Sequence, residues 1–127
     1  MIGIILVSHS KKISDGIKDM ISQMTGDKNI KIISAGGTSD GRFGTSSIKI
    51  LKAIDNCSNC ENILLFADIG SSKLSSETAI SLIEDEKLAK KTILVDAPLI
   101  EGAYAAAVMG STKAPINKIL KEVKLAK

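Results

Sequence analysis

Met1-Ile2-Gly3-Ile4-Ile5-Leu6-Val7-Ser8-His9-Ser10 opens the chain, and its reading decides the fold. The apolar run from Ile4 to Val7 is unbroken and stops abruptly at Ser8-His9-Ser10. Short runs rich in Ile and Val read as strands buried on both faces, as in parallel sheets. His9, the sole histidine, therefore stands where the first strand ends and the chain must turn. In open α/β sheets, ligands and chemistry collect at the carboxyl ends of strands. His9 is thus the candidate centre.

The remaining elements follow by periodicity. Ile13, Ile17, Met20, Ile21 and Met24 recur at helical spacing, so a helix is expected from about Ser14 to Met24, with these residues inward and Gly26 at its end. Ile30-Lys31-Ile32-Ile33 is the second strand, followed by Ser34-Ala35-Gly36-Gly37-Thr38 and a long loop through Thr45. A helix begins near Ser46 with Ile48, Leu51 and Ile54 inward. Asn62 to Ala67 is the third strand and stops at Asp68-Ile69-Gly70-Ser71-Ser72. The next helix is expected from about Ser75 to Glu84, capped by Ser75 or Ser76, with Ala79, Leu82 and Ile83 inward. Thr92 to Val95 is the fourth strand, ending at Asp96. Pro98 suits the start and Gly110 the end of an Ala-rich helix over Leu99 to Met109, and a last helix runs from Pro115 to about Lys124. Alternation of this kind implies a three-layer α/β/α fold around a four-stranded parallel sheet. The expected strand order is 2-1-3-4.

At 127 residues the chain, 1–127, is expected to form one domain. Its 44% apolar content supplies a core that must be aliphatic, with two Phe, one Tyr and no Trp. No stretch reaches the ~18 apolar residues of a transmembrane span, and the N-terminal run lacks a basic leader. No membrane association and a cytoplasmic location are expected. A net charge of +3 without aromatic platforms argues against nucleic-acid binding. Cys57-Ser58-Asn59-Cys60 could be a redox pair or half a zinc site, but there is no second pair and it follows a helix rather than opening one. Two loop thiols without chemistry are expected. The C-terminal lysines read as a solvated face.

A parallel sheet gathers four strand ends on one edge: Ser8-His9-Ser10, Ala35-Gly36-Gly37-Thr38, Asp68-Ile69-Gly70-Ser71-Ser72 and Asp96-Ala97-Pro98. This collection suits phosphoryl transfer through histidine. A neutral imidazole is a competent nucleophile near pH 7, its ordinary pKa being about 6.5. It needs one ring nitrogen free and the other oriented by a carboxylate that also stabilises the imidazolium, and Asp68 is the candidate. Phosphoryl oxygens need amides and hydroxyls. Gly36, Gly37 and Gly70 allow close backbone approach, while Ser10, Thr38, Ser71, Ser72 and the helix N-termini offer donors. No metal or other cofactor is called for. Each piece has a plainer explanation: Gly36-Gly37 equally fits a tight turn, Asp68 and Asp96 equally suit helix caps, and Arg42 suits a solvated loop.

The stretches Gly3 to Ser10, Ala35-Gly36-Gly37-Thr38 with Asp40-Gly41-Arg42-Phe43-Gly44-Thr45-Ser46, and Ala97 to Ala103 with the Ala run beyond carry a resemblance. The sequence resembles the phosphocarrier subunits of phosphoenolpyruvate-dependent dihydroxyacetone kinases, which share the fold of the mannose-type EIIA domain of the bacterial sugar phosphotransferase system. The resemblance implies that His9 takes a phosphoryl group from the histidine phosphocarrier protein HPr through Nε2. It implies delivery to ADP on the nucleotide-binding subunit, which phosphorylates dihydroxyacetone on a third subunit. It further implies a homodimer. With the sequence ending at Lys127, a free-standing carrier rather than one fused to donor domains is expected. The alternatives are an EIIA component of a mannose-type sugar transporter, with the same chemistry and another acceptor, and a flavodoxin-like binding module without covalent chemistry. A receiver domain phosphorylated on Asp68 fits less well, because its first strand would end in acidic residues.

Overall fold

All six residues of β1, Ile2–Val7, are buried, because this strand has a neighbour on each side and helices on both faces. In the computed structural model, which describes residues 1–126, the remaining elements follow in chain order. They are α1 (Lys11–Thr25), β2 (Ile30–Ser34), α2 (Ser47–Asn56), β3 (Asn62–Ala67), α3 (Ser71–Ser81), α4 (Glu86–Lys90), β4 (Thr92–Leu94), α5 (Leu99–Ser111) and α6 (Ile116–Lys124). The sheet is wholly parallel with the expected order β2-β1-β3-β4. Ile4 stands beside Ile32 and Leu64, and Val7 beside Ala67. That register puts the first residues after β1 against those after β3.

Alternation along the strands builds two cores. Ile4, Leu6, Leu64 and Phe66 pack against Ile17 and Ile21 of α1, Ala103, Ala106 and Ala107 of α5, and Ile119 and Val123 of α6. Ile5, Val7, Ile63 and Leu65 pack on the other face against Ile50 and Ile54 of α2, Ala79 of α3 and Leu88 of α4. Each full burial of such a side chain contributes about 1.5–3 kcal/mol. The small residues of α5 let it lie close to the sheet. A Cβ at Gly102 would stand 3.0 Å from the Phe66 ring.

Several expected boundaries shift. Helix α1 begins at Lys11, not Ser14, because the Ser10 side chain caps it by accepting from the Ile13 amide. Its inward stripe is Ser14, Ile17 and Ile21; Ile13, Met20 and Met24 are exposed rather than core, since they flank that narrow stripe. Ile48 is likewise exposed while Ile50 and Ala53 face inward. Helix α3 starts at Ser71 after Gly70, so Ser75 and Ser76 lie within it and cap nothing, and Leu82 is exposed. The short α4, capped by Asp85, is too brief to show a period and was not expected. Gly110 sits inside α5, where a Cβ would meet Ile30 at 3.0 Å.

Cys57 and Cys60 are free thiols in the turn between α2 and β3, as expected, and that turn buries them in the second core. Burial, with Cys60 alongside, pushes the Cys57 thiol up to about 12. A thiol that stays protonated and shielded does not react. Iodoacetamide at neutral pH is therefore expected to leave both cysteines unmodified in the native protein and to label both once urea unfolds it, as read by mass spectrometry.

Candidate functional site

The carboxyl ends of β1 and β3 meet at Asp68. Its amide donates to the Val7 carbonyl at 3.1 Å, which continues the parallel pairing one residue beyond the strands. This brings the carboxylate under the turn that carries His9. Oδ2 accepts from the Ser8 hydroxyl at 2.9 Å and from the His9 backbone amide at 3.1 Å. Oδ1 accepts from His9 Nδ1 at 3.0 Å and from the Ser72 hydroxyl. Burial alone would raise this carboxyl's pKa, but the bonds from Ser72, the His9 amide, Ser8 and the His9 ring outweigh it and hold the pKa below the usual carboxylate value. Asp68 is thus ionised at neutral pH and can only accept.

That fixes the imidazole. Nδ1 must carry the proton it donates to Asp68, so Nε2 presents its lone pair. Ser71 stands 2.7 Å from Nε2 and donates its hydroxyl to it. The His9 side chain is 35% exposed and Asp68 25%, so the ring is reachable while its orienting partner is partly shielded. Ser71 and Ser72 open α3 immediately after Gly70, which holds φ 54° and ψ −115°, a region that residues with a Cβ strongly avoid. The amides of Gly70 and Ser71 have no hydrogen-bond partner among the described residues. They offer donors at the positive end of α3, whose first residue meets Nε2 through its hydroxyl, the kind of arrangement that receives phosphate.

Ser10, Gly36, Gly37 and Thr38 sit at the same edge, but their polar groups are engaged within the chain. The Ser10 amide donates to the Ser8 hydroxyl at 3.1 Å, and its own hydroxyl caps α1. The Gly36 amide donates to Ser14 Oγ at 3.1 Å, and the Gly37 amide to the Ser8 carbonyl at 3.0 Å. The Thr38 amide donates to the Arg42 carbonyl at 2.9 Å, and its hydroxyl bonds to Asp40. A Cβ at Gly36 would collide with Ser14, so this glycine serves close packing of the loop on α1. Asp96 is exposed in the loop before α5, caps no helix, and lines a shallow groove with Asp68, Ile69 and Pro98. Arg42 is exposed and pairs with Asp40 at 3.2 Å. Sequence reasoning missed Ser8 as a ligand of the carboxylate; its sequence signal was a hydroxyl directly continuing a buried apolar run. It also missed Thr45, whose hydroxyl reaches Ser75 at 2.6 Å. Among the described residues no cluster of His, Cys, Asp or Glu could hold a metal ion, and no helix is long and apolar enough to cross a membrane.

Known proteins resemble this chain over nearly its full length. The family model described as EIIA-man, PTS system fructose IIA component, matches residues 3–120. The phosphoryl donor subunit DhaM of PEP-dependent dihydroxyacetone kinase 2 from Listeria innocua is 50% identical over 123 residues, 97% of each chain. The DhaM subunit of the PEP-dependent dihydroxyacetone kinase of Providencia stuartii is 44% identical; the match takes in 99% of this chain but 27% of that longer one. A crystal structure of a protein of unknown function superposes with a TM-score of 0.92 at 45% identity, covering 99% of this chain and 95% of that one.

Because the folded Asp68 binds its proton less tightly than the unfolded one, the unfolded state takes up more protons in the window below about pH 4. Stability is full above that window and is lost as pH falls through it. Asp15, held low by hydrogen bonds from Lys11 and Ser34, adds to the same decline. Urea titrations at pH 6 and pH 3 are expected to show a smaller acid-induced loss for Asp68→Asn than for the unaltered chain.

Proposed function

The chain belongs to the EIIA-man family, and from that premise we propose that it is the phosphohistidine carrier of a phosphoenolpyruvate-dependent dihydroxyacetone kinase. The observation that carries the reading is the single imidazole whose Nδ1 is held by Asp68 while Nε2 meets the hydroxyl of Ser71, at the start of α3, where the Gly70 and Ser71 amides have no partner among the described residues. The relatives named as phosphoryl donor subunits of that kinase support its acceptor over a transport EIIB.

In the first transfer His9 Nε2 attacks the phosphorus of a phosphoimidazole on HPr. The new P–N bond forms as the donor's P–N bond breaks, and the donor ring keeps the electron pair. Asp68 stabilises the cationic ring that results and never gives up its place on Nδ1. Ser71 turns from Nε2 to the arriving phosphoryl oxygens, beside the amides of Gly70 and Ser71. In the second transfer a β-phosphate oxygen of ADP on the nucleotide-binding subunit attacks the same phosphorus. The P–N bond breaks and Nε2 recovers its lone pair. The ATP formed there phosphorylates dihydroxyacetone on the dihydroxyacetone-binding subunit. In this reading residues 1–127 form one carrier domain that works in the cytoplasm as a homodimer. Ser10, Gly36, Gly37 and Thr38 shape the rim of the site, Gly70 and Ser71 meet the phosphoryl group, and Ser72, buried with its hydroxyl on Asp68 and its amide on the Ile69 carbonyl, holds the carboxylate instead of the phosphate.

Incubation with phosphoenolpyruvate, enzyme I and HPr should label the chain on His9, with phosphate stable in alkali and lost in acid. His9→Ala should take up none while keeping its circular dichroism spectrum; label on that variant would assign the chemistry elsewhere. Asp68→Ala is expected to slow transfer about 10²-fold, the scale of lost acid–base orientation, measured by rapid-quench phosphorylation.

A further inference from the structure

Two adjacent residues of the loop before α2 hold the backbone of His9 and the first turn of α3. Gly44 donates its amide to the His9 carbonyl at 2.8 Å. The Thr45 hydroxyl lies 2.6 Å from the Ser75 hydroxyl and 3.5 Å from the Ser71 carbonyl. Ser75 is one turn along α3 from Ser71, whose hydroxyl meets Nε2. Gly44-Thr45 therefore ties the backbone of His9 to the first turn of α3 by a route that does not pass through Asp68.

The loop is stiff enough to transmit position. The Arg42 amide donates to the Thr38 hydroxyl at 3.0 Å, the Thr38 amide to the Arg42 carbonyl at 2.9 Å and the Gly41 amide to the Thr38 carbonyl at 3.0 Å. On the other side of Thr45, the Ser46 hydroxyl caps α2 by accepting from the Lys49 amide. Thr45 is half-buried between two fixed points. A free rotor at that place would contribute little, but a residue held on both sides sets where Ser75, and with it the start of α3, must sit.

We infer that Thr45 is a positioning residue for phosphoryl transfer: through Ser75 and the first turn of α3 its hydroxyl fixes Ser71 against His9 Nε2. This rests on the carrier reading given above. Misplacement of a reacting group by ~1 Å can cost about 10²-fold. Loss of one tether among several should cost about tenfold.

The test compares the unaltered chain with Thr45→Val, Thr45→Ser, Ser75→Ala and the Thr45→Val/Ser75→Ala double variant. All are assayed for phosphoryl uptake from phospho-HPr, with thermal unfolding recorded alongside. Thr45→Val is expected to lower kcat about tenfold with KM for phospho-HPr unchanged and Tm within a few degrees, and Thr45→Ser to restore the rate. The double variant should be no slower than the slower single one, because both remove the same link. A rate for Thr45→Val equal to that of the unaltered chain overturns the inference. So does a loss confined to KM, a loss that tracks unfolding, failure of Thr45→Ser to rescue, or independent losses in the double variant. Absence of label on His9 in the unaltered chain is a different failure. It removes the carrier reading itself, and the positioning role with it.

Discussion

One carboxylate holds the site together. Asp68 offers about four lone-pair directions, and all are taken: Ser8 and the His9 amide on one oxygen, His9 Nδ1 and Ser72 on the other. No position is left for a competing donor, so the imidazole has one tautomer and one orientation. The arrangement is inexpensive because the sheet supplies it. Parallel pairing of β1 with β3 in the register Val7 to Ala67 puts residue 68 beside residues 8 and 9 before any side chain is chosen. The buried Ser8 converts that proximity into a fixed geometry, since it donates to Asp68 and accepts from Ser10 in the same turn.

The surrounding loops divide into those that receive and those that support. The start of α3 presents the Gly70 and Ser71 amides, which have no partner among the described residues, together with the Ser71 hydroxyl that meets Nε2. The Gly36-Gly37-Thr38 turn has its amides engaged, and rests on α1 through Ser14, whose hydroxyl also pairs with Ser34 at 2.7 Å. Lys49 reaches back from α2 to the Gly36 carbonyl at 2.6 Å. This turn fixes the floor on which β1 ends, which is a packing duty rather than an anion-binding one.

The sheet was legible because its strands are nearly uninterrupted Ile, Leu and Val, and the expected order places β1, the fully apolar run, at the centre, where it stands. The pairing of His9 with Asp68 was legible too, because both stand in the short polar stretch that directly follows a buried strand. Helix faces were read less well. Met20, Met24 and Ile48 share the period of their helices yet sit just outside the stripe that touches the sheet, and periodicity does not measure the width of that contact. The division between free and engaged amides at Gly36, Gly37, Gly70 and Ser71 was out of reach. It depends on which hydroxyl or carbonyl comes within hydrogen-bond reach of which loop, and residues such as Ser14 and Thr45 carry no mark in sequence that they do so.

The hydroxyl resting on Nε2 has a consequence for timing. While Ser71 donates there, the lone pair is sheathed against stray electrophiles and small oxidants that reach a ring one-third open to solvent. Uncovering it takes a twist about a single side-chain bond. Such twists at exposed positions run on picoseconds to nanoseconds, far ahead of any protein–protein encounter. The carrier can thus stay guarded between deliveries and still be ready whenever a loaded partner arrives.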